Sequence, residues 1–504
     1  MSFGYVYDER MLKHDCQYDK TTMAECPKRI RLIHQRLQDE HLLDGALKIE
    51  AREADDSEIR LNHPQELIDE ISRLESSQCE HYCKDKELLW VCEDTNEAAR
   101  VAIGGCIELV KAAVDGRVHN GFAIVRPPGH HSFGITPQGY CIFNNVAIAA
   151  KFAIERLAVE RLAIVDFDVH TGNGTYESVR GDARIHLTSL HAYHYGACWP
   201  FGREYDYTTK DANTLFVPLN GTMNSEGDFV SVFHHVLLPM LTQFQPQLIL
   251  ISAGFDAGYY DSMMDFGQAV KAHGYGHMSR LLADLCPGRT VAILEGGYHD
   301  YNYTECAAML VRGLRNQPLP RLHVPSRLSG ALLETTWNIL SHHSKWYPAL
   351  DERLRKLEAR QKELGLAPFA PNQTVFLGDK MRRIYDDLKK NRLVRTREWF
   401  PELNAEQVDK CKRKIDEYKS QYEFTSDHPT PSEEQLLAQC TWDEESRSHA
   451  FLQSAPFATI LVQEFNDFVE GRRENMLICD RELYREAVEK GTLEPHTPIP
   501  TRFQ

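Results

Sequence analysis

The stretch "RLAIVDFDVH" (161–170) runs unbroken through apolar residues and then ends in polar ones, among them Asp168 and His170. Continuous rather than alternating apolarity marks a strand buried on both faces, and hence a parallel sheet covered by helices. The pattern recurs in "GFAIVRPPGHH" (121–131), "ARIHLTSLH" (183–191), "LILISAGFD" (248–256) and "TVAILEGGY" (290–298). Intervening segments such as "CIFNNVAIAAKFAIERL" and "HGYGHMSRLLADL" supply the helices. The sequence therefore predicts an α/β fold, a mostly parallel multi-stranded sheet flanked by helices. In such sheets ligands gather beyond the carboxyl ends of the strands. The unusual residues of these runs sit there.

Asp168 and His170 are spaced i, i+2, so on an extended strand end they point to the same side. Asp256 in "GFDA" comes from another strand end. One imidazole and two carboxylates leave a fourth position open, as in a catalytic rather than a closed structural zinc site. A single aspartate at a strand end is usually a turn or cap residue; three matching features at corresponding ends point to a metal. Histidine adjacency alone decides nothing, because 23 histidines in 504 residues supply about one adjacent pair by chance. Position separates the three pairs. His234-His235 lies in an apolar helix-like run and reads as packing, and His342-His343 stands beyond the last strand signal and reads as solvated. Only His130-His131 falls at a strand end beside other ligand-type residues.

Composition bounds the partners. A formal net charge of −16 argues against nucleic-acid binding through a basic surface and suits lysine-rich, positively charged partners. The apolar stretches are too short to cross a bilayer, and "MSFGYVYDER" lacks a signal-peptide layout, so an intracellular setting, nucleus or cytoplasm, is expected, with no membrane partner. Thirteen scattered cysteines suggest reduced thiols. Cys79, His81 and Cys83 do not have a common zinc-site spacing and read as a polar loop.

The motifs "RPPGHH", "GYCIFNNVAIAA", "DFDVHTGNGT", "TSLH", "SAGFDA" and "LEGGY", in this order, resemble a class II histone deacetylase of the zinc-dependent arginase/deacetylase superfamily, over about residues 3–316. The resemblance implies one catalytic zinc on Asp168, His170 and Asp256. It implies that His130 and His131 are the paired catalytic histidines, with Asp166 behind the first and Asn173 behind the second, and that Tyr298 is the transition-state tyrosine. An amide at 173 orients His131 without lending negative charge, so His131 should be the less basic of the two. A structural potassium ion is implied at Asp166, Ser189 and Leu190, with backbone oxygens of Asp168 and His170. Gly139, Tyr140, Trp199 and Met263 fall at substrate-binding positions, Tyr140 and Trp199 standing where the family has two tunnel phenylalanines. Gly172 and Ala257 replace carboxylates that a two-manganese arginase would need. Met263 replaces the acidic gatekeeper of a polyamine-specific relative, which favours acetylated protein lysine over acetylpolyamine. The resemblance implies acetyl-lysine hydrolysis in histones or other proteins, in chromatin or transcription regulation. The rival reading is a catalytically weak acetyl-lysine reader or corepressor scaffold.

The resemblance ends near residue 325, so the sequence divides into a deacetylase domain (1–325) and a mainly helical C-terminal region (326–504). "ALDERLRKLEARQKELG", "NAEQVDKCKRKIDEYKSQYEF" and "ATILVQEFNDFV" read as helices. Their apolar stripes suit packing within the chain, with docking to a corepressor complex as the sharper alternative. "KCKRK" (410–414) fits either a nuclear-localisation segment or a solvated helix face.

Overall fold

Strands that are apolar on both faces can satisfy their backbone only beside one another. In the computed structural model, which describes residues 2–16, 24–196, 198–221, 224–259, 261, 268–369, 405–427, 430–443 and 446, they do so in one sheet of eight strands whose exposed edge is β2: β1 (Gly4–Val6), β2 (Leu47–Lys48), β3 (Gly121–Ala123), β4 (Leu162–Asp166), β5 (Ile185–Ala192), β6 (Thr214–Leu219), β7 (Leu248–Ala253) and β8 (Thr290–Leu294). Their spatial order is β2-β1-β3-β8-β7-β4-β5-β6, and every pairing is parallel. All carboxyl ends therefore open on one edge. From β4 the chain proceeds outward to β5 and β6, then returns to β7 on the other flank of β4. That reversal creates a crevice between the ends of β4 and β7.

The five expected runs are all strands. β6 carries Pro218, which is tolerated because β6 is an edge strand. Helices are placed by local chemistry. Asn144 caps the helix Asn145–Arg156 by accepting the Ala147 N–H at 2.9 Å, and its amide donates to the Ser132 carbonyl at 3.1 Å. Asn145 donates to the Pro127 carbonyl at 3.0 Å. The "NN" pair thus pins both ends of the loop that carries His130 and His131.

A boundary at 325 does not describe the packing. The helices Gly330–His343 and Pro348–Glu363 place Leu332, Leu333, Trp337, Leu340, Leu350 and Leu357 in the same apolar core as the sheet, and Cys440 and Trp442 join it. Gln439 bonds His235 Nε2 at 3.1 Å and donates to the Ser231 hydroxyl at 3.2 Å. The Trp337 indole donates to the Cys440 carbonyl at 2.9 Å, and Gln361 both donates to and accepts from the Trp442 backbone. The described C-terminal residues complete the core because these apolar positions face the sheet domain.

The histidine pairs divide accordingly. His235 is buried in a π-turn, Phe233–Leu237, as a packing role requires. His342-His343 is not solvated: His343 is fully buried, and His342 Nε2 donates to the Thr209 carbonyl at 2.8 Å. Cys79, His81 and Cys83 lie on a helix, Ser76–Cys83, rather than a loop, with Cys79 buried. The eleven cysteines among the described residues are free thiols, and no described helix is long and apolar enough to cross a membrane. The helix Ala405–Lys419 carries "KCKRK", with Lys412 5.1 Å above the Tyr301 ring. "ATILVQEFNDFV" lies outside the described residues.

Trp442→Ala is expected to destabilise the protein by about 3–5 kcal/mol in urea unfolding, the range for deleting a buried large aromatic. The metal content of the remaining folded protein should be unchanged.

Candidate active site

Four strand ends meet at the crevice. The end of β4 delivers Asp166, Asp168 and His170, that of β7 delivers Asp256, that of β3 His130 and His131, and that of β8 Tyr298. Asp168, His170 and Asp256 come together as buried side chains whose candidate ligand atoms lie within 4.8 Å of one another. His170 Nδ1 is 3.0 Å from Asp168 Oδ1 and 3.0 Å from Asp256 Oδ2. Backbone amides hold the other carboxylate oxygens: Val169 N–H donates to Asp256 Oδ1 at 2.8 Å, and Gly296 N–H to Asp168 Oδ2 at 2.9 Å. Such close approach excludes side chains. A Cβ on Gly254 would stand 2.0 Å from Asp168 Oδ2, and one on Gly296 2.5 Å from Asp256 Oδ2.

The electrostatics call for a cation. Burial and the neighbouring Asp168 charge push the Asp256 carboxyl up. Burial opposes a charged His170, yet the two carboxylates raise it. Two buried carboxylates around one imidazole nitrogen fit a divalent ion of the zinc type, with three protein donors and room for a fourth ligand.

The histidine pair lies beside this set, ring centroids 3.9 Å apart and planes tilted by 42°. His130 Nδ1 lies 3.0 Å from Asp166 Oδ2, and His131 Nδ1 2.7 Å from Asn173 Oδ1. Burial disfavours charge on both, but Asp168, Asp166 and Glu295 lift His130 well above its ordinary value. His131 has burial reinforced by His130 and His170 and is held well below. A carboxylate behind one ring and an amide behind the other thus go with a more basic His130 and a less basic His131.

Trp199 sets its ring edge-on to His131 (centroids 4.5 Å, 80°) and to His170 (6.3 Å, 74°), walling the approach. Gly139, at φ +55°, lets the wall close in, since a Cβ there would meet His131 Cδ2 at 2.6 Å and the Trp199 ring at 3.1 Å. Tyr140 is more deeply placed than a tunnel wall: it is 3% exposed and packs with Cys16, Trp90 and Tyr298. Tyr298 sits edge-on to Tyr140, with the Arg29 guanidinium 5.0 Å from its ring centroid. Burial raises its hydroxyl pKa well above the usual tyrosine value, against Arg29 and with Asp256 and Asp168, so it keeps its proton. Asp166 is in register with Ser189 of β5, followed by Leu190. Met263 lies outside the described residues.

Sequence reasoning missed Glu295. It is fully buried, and its Oε2 accepts the N–H groups of Gly129 (2.7 Å) and His130 (3.1 Å). Burial pushes its carboxyl up to about 7. The signal was a charged residue closing an apolar strand ahead of Gly-Gly.

Fold and site together define a class, a parallel α/β protein holding a buried Asp-His-Asp metal-ligand set beside a histidine pair. A family profile described as Histone deacetylase domain matches residues 23–314. The chain is 35% identical over 331 residues to Polyamine deacetylase HDAC10 of Mus musculus, covering 64% of this chain and 49% of that protein. It is 33% identical over 364 residues to Histone deacetylase 15 of Arabidopsis thaliana, covering 70% and 65%. The crystal structure of the HDA15 HD domain superposes with a TM-score of 0.64 at 32% identity, covering 71% of this chain and 99% of that one. The chain belongs to the histone deacetylase family. It spans about half the length of the curated relatives it first matches.

Gly254→Ala should drive its methyl into Asp168 and lower bound metal in the purified protein, measured by elemental analysis. His131→Ala should retain the metal and lose turnover, whereas substitutions at His342-His343 should move stability alone. Loss of turnover from folded His342 variants would overturn the positional argument.

Proposed function

We propose that this chain is a zinc-dependent deacetylase acting on acetyl-lysine in proteins. The observation that carries the reading is His131, hydrogen-bonded to Asn173, held beside the Asp168/His170/Asp256 donor set, with Tyr298 from a neighbouring strand end. When bound, zinc supplies Lewis-acid polarisation of the amide carbonyl and acidifies water. His131, uncharged at neutral pH and oriented by Asn173, accepts the proton of the attacking water and can return it to the leaving amine. His130, kept cationic by Asp166 and its neighbours, supplies fixed positive charge at the reacting centre. The Tyr298 hydroxyl donates to the carbonyl oxygen as it gains negative charge. Trp199 and Gly139 flank the approach with a flat apolar face suited to a lysine methylene chain.

Potassium near Asp166, Ser189 and Leu190 is supported by the register that sets those residues side by side. The free cysteines suit an intracellular setting, nuclear or cytoplasmic, and the acidic net charge suits acetylated histone tails or other lysine-rich proteins. A corepressor partner is left to the exposed faces of the C-terminal helices, since most of their apolar positions are taken up by packing within the chain. Polyamine hydrolysis is the second reading, favoured by the likeness to relatives named polyamine deacetylases; Met263, in place of an acidic residue, supports the protein substrate.

Purified, zinc-loaded protein should turn over acetyl-lysine peptides faster than acetylated polyamines. Tyr298→Phe should lower that turnover about a hundred- to a thousand-fold while peptide binding persists, and Asp256→Ala should remove zinc and activity together. Peptide binding without turnover in wild type would replace this reading with a scaffold, and preferential cleavage of polyamines would replace the substrate class.

A further inference from the structure

Tyr298 follows two glycines, and Gly297 adopts φ +106°, so its own backbone does little to fix where the ring stands. The restraint comes from another strand end. Asp261, on the segment leaving the metal ligand Asp256, is 1% exposed, and its Oδ2 accepts the N–H of Tyr298 at 2.8 Å and of His299 at 3.1 Å. The same oxygen accepts from Asn302 Nδ2 at 3.1 Å, and that amide also donates to the Phe255 carbonyl at 2.9 Å. Gly258 makes room for the link, since a Cβ there would stand 2.3 Å from Asn302 Nδ2.

We propose that Asp261 is a positioning residue for Tyr298, locking the tyrosine's backbone to the segment that bears Asp256. Two consecutive N–H groups on one oxygen fix the orientation of both peptide planes, and with them the Cα–Cβ direction of Tyr298. Asn302 ties the same oxygen to the residue before the metal ligand, so the hydroxyl donor and the ligand keep a constant separation. Displacement of a reacting group by about 1 Å can lower rate about a hundred-fold, which is the scale on which this anchor acts. Asparagine at 261 keeps the size of the side chain and withdraws the charge and one acceptor oxygen.

The inference rests on the deacetylase reading and is tested by a double-mutant cycle on zinc-loaded full-length protein with an acetyl-lysine peptide: Asp261→Asn, Tyr298→Phe and both. Asp261→Asn should lower kcat about ten- to a hundred-fold with KM and zinc content near wild type, and amide exchange across residues 296–302 should quicken. Added to Tyr298→Phe, it should lower kcat less than about two-fold, because the group it positions is already gone. Equal losses in both backgrounds, or an unchanged kcat for Asp261→Asn, would overturn the proposal. If Asp261→Asn fails to fold, Asn302→Ser replaces it in the same cycle with the same criteria. Tyr298→Phe without effect would instead overturn the deacetylase reading itself.

Discussion

A carboxylate taken out of water must be handed donors, and this molecule buries five of them, Asp166, Asp168, Asp256, Asp261 and Glu295, around the ends of adjacent strands. Four of the five are met by backbone N–H groups from a different strand end: Val169 for Asp256, Gly296 for Asp168, Gly129 and His130 for Glu295, Tyr298 and His299 for Asp261. Each bond satisfies a buried charge and at the same time ties two loops together. The loops at this edge are thus held by the buried carboxylates, and Gly254 and Gly296 stand where carboxylate oxygens occupy the space a side chain would need.

The same interior sorts the histidines. Residues of one type, some adjacent in sequence, end up more basic beside a carboxylate (His130) and less basic beside an amide (His131) or in packing (His235, His343). Burial lowers the basicity of all four, and only a neighbouring negative charge reverses it. Asp166 and Asn173 differ by little more than an oxygen for a nitrogen. That exchange is aligned with the difference in basicity between the two rings.

How much of this could be read from the chain follows from what kind of contact was involved. β3, β4, β5, β7 and β8 were legible because each is a continuous apolar run, and Asp168, His170, Asp256 and the first histidine pair because they interrupt the ends of those runs. β1 and β2 are three and two residues long, and β6 hides behind Pro218, so neither length nor composition announces them. Glu295 and Asp261 escaped because their partners are backbone amides, which carry no residue identity. The C-terminal segments misled through composition: helices rich in charge conceal a few inward positions, Leu350 and Leu357 among them, that complete a core begun three hundred residues earlier.

That late completion has a consequence for synthesis. Gln439 meets Ser231 across a separation of 208 residues, and Trp442 follows the end of the last sheet strand, β8 at Leu294, by 148 residues, so a chain emerging from the ribosome at about 5–20 residues per second carries its finished sheet, with one flank of the core still open, for roughly seven to thirty seconds. During that interval the groove awaiting Trp337, Cys440 and Trp442 is exposed apolar surface. The described C-terminal helices therefore belong to the same folding unit as the sheet, and that unit closes only after Asp168, His170 and Asp256 have all been made.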